Sequence, residues 1–481
     1  MSEMRTKDAA LLVQSDAGRA HLFARRYRGS IHWVPSHKHW VVWNDEMSRW
    51  LVDRTDLDGP GHGAATRLAK DFLATCCDEF DHSVGVDLEI TLGKRRTIYD
   101  MLDLVKTEDF VSVPNSTFNT DPYLLGVSNG VVDLRTGRLS EAQRSDRITW
   151  HTDTKYDPDA RDARWDKFLR EATSHDDKLR DFLQTYFGYS LTGSNSKEKF
   201  VLIRGRGGSG KGTLTKAIIR AISPYAMTTN HDSFLRHKAG TPREDLASWD
   251  GKRLVLTTEL PGSSTLDANI IKALSGGDDF RARSLFRTGK ELRQTWSCVS
   301  TCNRFPSLDS APDSGWWRRI ICIPMPHVAE REDHTLKAHL CDPLGASRAV
   351  LAWLIEGSRA FYANGERFDP PHSVEKETMA FRAEADHMGF WLAETFDRDP
   401  SGWVSNADLW ESYEQSCEDF IQEPQTKRWW GMRLEKDGFP SQVGRGGRKR
   451  GHHGLRFKPR RVSHIDFVAE EMRVNSTVFE D

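Results

Sequence analysis

The chain of 481 residues contains no run approaching the roughly 18 to 20 apolar residues that a membrane-spanning helix needs. Its first residues, MSEMRTKDAALLV, lack the apolar stretch of a secretory signal. The cytoplasm is therefore the expected compartment, that of a bacterial host if the chain is phage- or plasmid-encoded, and no membrane partner is expected. Cysteines are few and unpaired in sequence. The seven of them, Cys76, Cys77, Cys298, Cys302, Cys322, Cys341 and Cys417, form no C-x-x-C pair, which speaks against a disulfide framework or a thiolate zinc site. His452 and His453 are adjacent but have no cysteine pair nearby, so zinc is not expected there either. There is no strong excess of one charge: the net value is −2, and any nucleic-acid contact must come from local basic patches. No repeat and no extended low-complexity segment occurs. What remains is a globular composition, 38% hydrophobic and 29% charged, at a length that allows about three domains.

Against this background one stretch stands out, Lys199 to Ala221, KFVLIRGRGGSGKGTLTKAIIRA. Phe200 to Ile203 reads as an apolar strand, and Leu214, Ala217, Ile218, Ala221 and Ile222 recur at helical spacing. Between them Gly205, Gly210 and Lys211 fit the phosphate-cradling pattern G-x-x-x-x-G-K. Glycines let the backbone turn tightly and offer its N–H groups to phosphate oxygens, and the helix adds its positive N-terminal end. The expected nucleotide contacts are Gly205, Gly207, Gly208, Ser209, Gly210, Lys211, Gly212 and Thr213, with ATP as ligand and Mg²⁺ as its companion. Lys211 would reach the β- and γ-phosphates as a point charge. Gly212 departs from the pattern, because Ser or Thr usually supplies a metal-directed hydroxyl there. Thr213 follows one residue later and is a weak substitute.

Further short apolar runs follow: Arg253 to Thr257 ends at Glu259, Ser297 to Thr301 ends at Asn303, and Ile320 to Ile323 comes after Arg318 and Arg319. Open α/β sheets bind ligands at the carboxyl ends of their strands, where Gly205, Glu259 and Asn303 are expected to lie. A carboxylate there can hold Mg²⁺ through water or orient the attacking water, the role expected of Glu259. Asn303 can hydrogen-bond the γ-phosphate or its water. An arginine donated across a subunit interface can stabilise transition-state charge, and Arg318 and Arg319 are the candidates.

The passages GRGGSGKGT, GKRLVLTTEL, KALSGGDDFRARSLF, STCNRFP and GWWRRIICIPM, in this order, resemble the superfamily 3 helicases of the phage and plasmid primase–helicase family related to the poxvirus enzyme. DPYLLGVSNGVVDLRTGRL, upstream, is similar to the segment preceding that core. The resemblance covers roughly residues 115 to 330 and thins outside them. It implies an AAA+-like ring ATPase, of hexameric type, translocating 3′ to 5′ on single-stranded DNA and opening forked DNA. It assigns the phosphate loop to Gly205, Gly210, Lys211 and Thr213, the acid to Glu259 and the sensor to Asn303. Thr258 stands where many members have a second acid. Arg318 is preferred as the finger, with Arg319 left open. In similar helicases a hairpin projects into the channel and grips the DNA backbone. FRARSLF and ELRQTW read as its arms around Arg287-Thr288-Gly289-Lys290, so Arg287 and Lys290 are the expected DNA contacts.

The flanks are read more coarsely. Residues 1–160 form a mixed α/β region in which Ile31 to Trp50, rich in tryptophan, reads as a small β-meander, with core burial favoured over base stacking. Leu68 to Phe80 reads as a helix, and Asn115 to Leu139 as two short strands joined by turns. Residues 161–345 comprise a helical lead-in, Trp165 to Leu191, and the ATPase core. Residues 346–385 are a helical linker. In 386–481, Ser405 opens a helix, a second helix spans Lys427 to Lys436, and Ser441 to Arg461 carries eight Lys or Arg and no acid. This order resembles a winged-helix module with Arg448, Lys449 and Arg450 in its wing, placed to meet DNA phosphates.

The expected fold class is thus multidomain α/β, and the expected activity is ATP-dependent replicative DNA unwinding. A separate primase or polymerase is a further possible partner, since the N-terminal region shows no cluster of paired carboxylates suited to primer synthesis. Two alternatives stay open. One is an ATP-regulated DNA-binding or loading protein without unwinding. The other, favoured less, is a nucleotide kinase, because GSGKGT also occurs in adenylate-kinase-like loops.

Overall fold

The computed structural model describes residues 12–54, 61–84, 92–236, 243–257, 259–277, 280–282, 290–308, 313–329, 333–420, 423–444 and 449–459. The chain begins with α1 (Asp16–Arg26), whose N-cap Ser15 accepts the Gly18 N–H. The tryptophan-rich stretch then forms an antiparallel meander of β1 (Ile31–Val34), β2 (His39–Asn44) and β3 (Arg49–Asp53), with Trp33 opposite Trp40 and Trp43 opposite Trp50. Trp40, Trp43 and Trp50 are buried, as the core reading requires. Trp33 is half-buried and lies under the Lys106 ammonium. Helices α2 (Ala64–Val84) and α3 (Arg95–Val105) cover this sheet. A second meander, β4 (Leu124–Val127), β5 (Gly130–Asp133) and β6 (Arg138–Ser140), includes one strand more than the two expected. Phe118, Val131 and Ile148 share a core with Trp43 and Trp50 and join the meanders.

The helical lead-in is not one helix but two, α4 (Ala163–Ala172) and α5 (Asp177–Tyr189). Ser174 and His175 take left-handed backbone angles, φ 50° and 63°, and Asp176 caps the second helix by accepting the Leu179 N–H. The apolar face expected there, Leu179, Phe182, Leu183, Tyr186 and Phe187, is buried in full.

The centre of the molecule is a five-stranded, wholly parallel sheet. Its strands are β7 (Phe200–Arg204), β8 (Ala226–Thr229), β9 (Leu254–Thr257), β13 (Ser297–Cys302) and β15 (Ile320–Pro324), in the spatial order β15-β7-β13-β9-β8. Helix α6 (Lys211–Ile222) crosses from β7 to β8, and its five apolar positions are all buried. Alternate residues of the strands go to opposite faces, so both faces must be covered. Val201, Ile203, Leu254, Leu256 and Val299 pack against α4, α5, α6 and α11 (Ser347–Ala363), whereas Phe200, Leu202, Val255 and Cys298 meet a second layer containing Trp249, Trp296 and Trp316. Strand β8, AMTT, was not foreseen, because an edge strand needs no apolar run.

Short elements surround the sheet: α7 (Glu244–Ala247), β10 (Thr265–Leu266) pairing with β14 (Ser307–Leu308), α8 (Ala268–Ser275), α9 (Ser314–Trp317) and α10 (Leu336–Leu340). The expected basic hairpin has paired arms, β11 (Phe280–Ala282) and β12 (Lys290–Leu292). Its turn, with Arg287, lies outside the described residues.

Helix α12 (His372–Ala385) leads into the C-terminal module of α13 (His387–Thr395), β16 (Phe396–Ser405), α14 (Asn406–Asp419), α15 (Lys427–Lys436), β17 (Ser441–Val443) and β18 (Arg450–Phe457). Ser405 caps α14 as expected, accepting the Asp408 N–H, and Leu409, Tyr413 and Phe420 are buried. The three strands form an antiparallel sheet in the order β16-β18-β17. Strand β16, FDRDPSGWVS, was missed, because its Pro, Gly and acids hide a strand whose register shifts between Arg398 and Trp403.

Candidate functional site

Strand β7 is apolar until Arg204, where the chain leaves the sheet through Gly205 and enters α6 at Lys211. Three glycines determine the shape of this loop. A Cβ on Gly205 would collide with the Met325 carbonyl and the Ser209 hydroxyl, and Gly208 and Gly210 take φ values of +82° and +88°. Gly210 is the N-cap of α6, so the first N–H groups of the helix border the loop, that of Thr213 donating to the Gly210 carbonyl at 3.0 Å.

Lys211 is buried, and its ammonium folds back into the loop. Nζ donates to the carbonyls of Gly205 (2.5 Å) and Arg206 (3.0 Å) and to the side-chain oxygen of Asn303 (2.8 Å). Burial pulls the Lys211 pKa down, and the charge of Glu259 acts in the opposite sense. Asn303 follows β13, the neighbour of β7, and its amide nitrogen donates to Glu259 Oε1. The segment after β9 is tied to the same edge, because the Leu260 N–H donates to the Thr301 carbonyl at 2.7 Å. Parallel pairing thus brings Lys211, Asn303 and Glu259, far apart in sequence, into one bonded chain at the carboxyl ends of three adjacent strands. An ammonium, an amide and an exposed carboxylate arranged in this way can bind an anion, orient it, and hold a water or metal beside it. Thr213 is half-buried on the first turn of α6, and Gly212 is exposed. Among the described residues no group of three His, Cys, Asp or Glu could hold a metal by itself.

The two arginines lie at the other end of the sheet. Arg319 comes just before β15, and the Phe200 N–H at the start of β7 donates to its carbonyl at 2.8 Å. A five-residue strand separates them from the loop by roughly 15 Å. Arg318 Nη2 (3.0 Å) and Arg319 Nη2 (2.8 Å) share one carboxylate oxygen of Glu198. Arg319 also donates to the Gly315 carbonyl and its side chain is 12% exposed, whereas that of Arg318 is 64% exposed. Within one chain neither reaches Lys211.

Of the expected DNA contacts, Lys290 opens β12, and Lys449 and Arg450 are exposed where β18 begins. Arg287 and Arg448 lie outside the described residues. Sequence reasoning missed the outer face of α15, where Arg428, Trp429, Met432 and Lys436 are exposed. Their i, i+4 and i+8 spacing is visible in KRWWGMRLEK. It also missed Glu198 and the Arg204–Glu377 pair, whose members are 173 residues apart and share no motif.

Residues 20–174 match the family model described as "D5 N terminal like", and residues 203–319 match a model of a family of unknown function, DUF5906. Over these residues the chain is similar to primase–helicase proteins of phage and viral type. Family resemblance therefore reaches well upstream of residue 115, where the motifs alone had set its limit. "Putative helicase L207/L206" of Acanthamoeba polyphaga mimivirus is 28% identical over 224 residues, 45% of this chain and 23% of its own length. "Putative helicase 022R" of Frog virus 3 is 24% identical over 256 residues, 50% of this chain and 26% of its own. "Putative primase C962R" of African swine fever virus is 24% identical over 310 residues, 59% of this chain and 32% of its own. The chain thus spans about a quarter to a third of these relatives. Among solved structures, the apo C-terminal region of NrS-1 aligns with 89% of this chain and 96% of that one, at 10% identity and a TM-score of 0.46.

Proposed function

We propose that this chain is a DNA helicase of superfamily 3 type that hydrolyses ATP with Mg²⁺. The observation that carries the reading is the bonded chain Lys211–Asn303–Glu259 at the carboxyl edge of a five-stranded parallel sheet. In this reading the sheet is the core of an AAA+-like P-loop ATPase. The loop from Gly205 to Gly210 and the first N–H groups of α6 cradle the phosphates. Lys211 exchanges its carbonyl acceptors for β- and γ-phosphate oxygens, Asn303 meets the γ-phosphate, and Glu259, released from Asn303, orients the attacking water. Mg²⁺ would be held by the nucleotide, water and Glu259, with Thr213 nearer to an α- or β-phosphate. The separation of Arg318 from its own chain's loop favours supply from a neighbouring subunit in a ring of hexameric type.

DNA, in this reading, meets two surfaces. The expected contacts of the β11–β12 hairpin are Arg287 and Lys290. The C-terminal module acts as a winged helix, and Arg448, Lys449 and Arg450 are its expected DNA contacts. Movement along single-stranded DNA is 3′ to 5′. The test is strand separation on forked duplexes of both polarities, together with ATP turnover measured with and without single-stranded DNA. The expected result is DNA-stimulated turnover and ATP-dependent unwinding of the fork with a 3′ tail. ATP-dependent ring formation without unwinding would favour the loading-protein reading instead. DNA-independent phosphoryl transfer to nucleoside monophosphates would favour a kinase.

A further inference from the structure

Helix α12 holds the edge of the sheet beside the phosphate loop. Arg204, the residue before Gly205, donates from Nε to Glu377 Oε1 and from Nη2 to Glu377 Oε2 (3.0 Å), a two-pronged pair whose carboxylate side chain is 11% exposed. The same guanidinium lies 4.5 Å from the ring of Phe305, two residues after Asn303, and that ring stacks on Phe381 of α12 at 4.6 Å and 29°. On β15 the Cys322 N–H donates to the Thr378 hydroxyl at 2.9 Å. One helix therefore grips β7 where it enters the loop, the turn that follows Asn303, and the strand on the far side.

The other end of α12 belongs to the C-terminal module. Ala383 packs with Phe390 and Phe420, whereas Ala380 and Phe381 belong to the core under the central sheet. The helix stops at Asp386, whose carboxylate caps α13 through the Gly389 N–H (3.1 Å) and accepts Arg433 Nη2 of α15 with both oxygens (3.2 Å each). Asp386 and Arg433 are themselves largely buried, with side chains 9% and 16% exposed.

We propose that α12 is the strut through which occupancy of the phosphate loop alters the DNA affinity of the C-terminal module, with Arg204 and Glu377 as positioning residues at one end and Asp386 and Arg433 at the other. The inference rests on the reading that the loop takes a nucleotide. Its physical basis is the cost of breaking either ion pair, which would leave the largely buried carboxylate of Glu377 or Asp386 without its guanidinium, although Arg433 keeps Asp437. A shift of Arg204, one residue from the phosphates, therefore carries Glu377 with it, and a packed helix moves as a rigid body. At Asp386 that movement reaches α13 and α15 together. Coupling of this kind requires both ends to bias the same element, and α12 is shared by the two cores.

The test uses the full chain and labelled single-stranded or duplex DNA, with anisotropy recorded with and without a non-hydrolysable ATP analogue. ATP affinity is measured separately. In the wild type the analogue is expected to change DNA affinity by about fivefold or more, the usual lower range for allosteric coupling. Glu377→Gln and Asp386→Asn preserve shape and capping but remove charge. Each should reduce that response to less than about twofold while ATP affinity and nucleotide-free DNA affinity stay near wild type, a pattern that a general loss of structure does not give. Should Glu377→Gln fail to fold, Phe305→Leu probes the same end. Variants that retain the wild-type response overturn the inference. So does a wild type that binds ATP but shows the same DNA affinity with and without it, which leaves the nucleotide reading intact. A wild type that binds no ATP overturns both.

Discussion

At the carboxyl end of the central sheet Lys211, Asn303 and Glu259 bond to one another, whereas at the amino end Arg318 and Arg319 converge on the single carboxylate of Glu198. The first group is closed: a buried ammonium is satisfied by its own loop and by the asparagine that also holds the acid. The second is open, with one arginine anchored and the other directed to solvent. Both groups hold cations at an end of the same sheet, yet only Lys211 sits in a glycine loop at the N-terminus of a helix. The difference teaches that strand direction sorts the chemistry. A group at the amino end can serve a nucleotide only in another copy of the chain.

The largest effects should come from breaking this division. Arg318→Ala should lower ATP turnover by about 10³-fold or more without loss of ATP binding. Mixing it with Lys211→Ala should restore part of the turnover, because mixed assemblies place one intact loop beside one intact Arg318. Arg319→Ala should instead act on stability, lowering it by about 1 to 3 kcal/mol in chemical denaturation, since Arg319 is 12% exposed and bonded to Gly315. Equal effects of the two substitutions on turnover would erase the distinction between anchor and donor. At the closed end, Glu259→Gln should keep ATP binding and reduce hydrolysis by about 10²-fold or more, measured as single-turnover phosphate release.

Much of the candidate site is legible in the sequence. Tight turns need glycine where φ is positive, and the G-x-x-x-x-G-K spacing ending at Gly210 and Lys211 marks this one. Glu259 and Asn303 were readable because buried parallel strands are apolar up to the residue at the ligand edge. Other parts were hidden for equally physical reasons. Strand β8 is an edge and carries no apolar run. Strand β16 contains Pro and Gly. Glu377 contributes only through a partner 173 residues away, which no spacing rule reaches. Nor could periodicity show that the lead-in breaks at Ser174 and His175, because the apolar face continues on both sides of the break.

The N-terminal meander gives a smaller effect, remote from both ends. His32 is buried, with Arg147 Nη1 donating to its Nε2 at 2.7 Å, so the ring must be neutral there. Burial, reinforced by Arg147, lowers its pKa to about 4. Between that value and the ordinary 6.5 the unfolded chain binds the extra proton. Stability is thus fully present above pH 6.5 and is lost as pH falls toward 4, by on the order of 3 kcal/mol from this group. His32→Gln, which keeps an acceptor but does not titrate, should flatten that part of a pH-dependent melting curve. The smallest effect is expected at Gly212, where an added Cβ meets nothing within 4 Å. Gly212→Ser should leave ATP affinity near wild type and sharpen the dependence of turnover on Mg²⁺ concentration.

The central claim is that the chain Lys211–Asn303–Glu259 is a nucleotide site, and calorimetric titration of Mg²⁺–ATP into wild type and Lys211→Ala tests it most directly. Saturable binding is expected of the wild type and a loss of about a hundredfold in the variant, from removal of one charge-assisted contact in a partly desolvated loop. Equal affinity of the two proteins for ATP would contradict it.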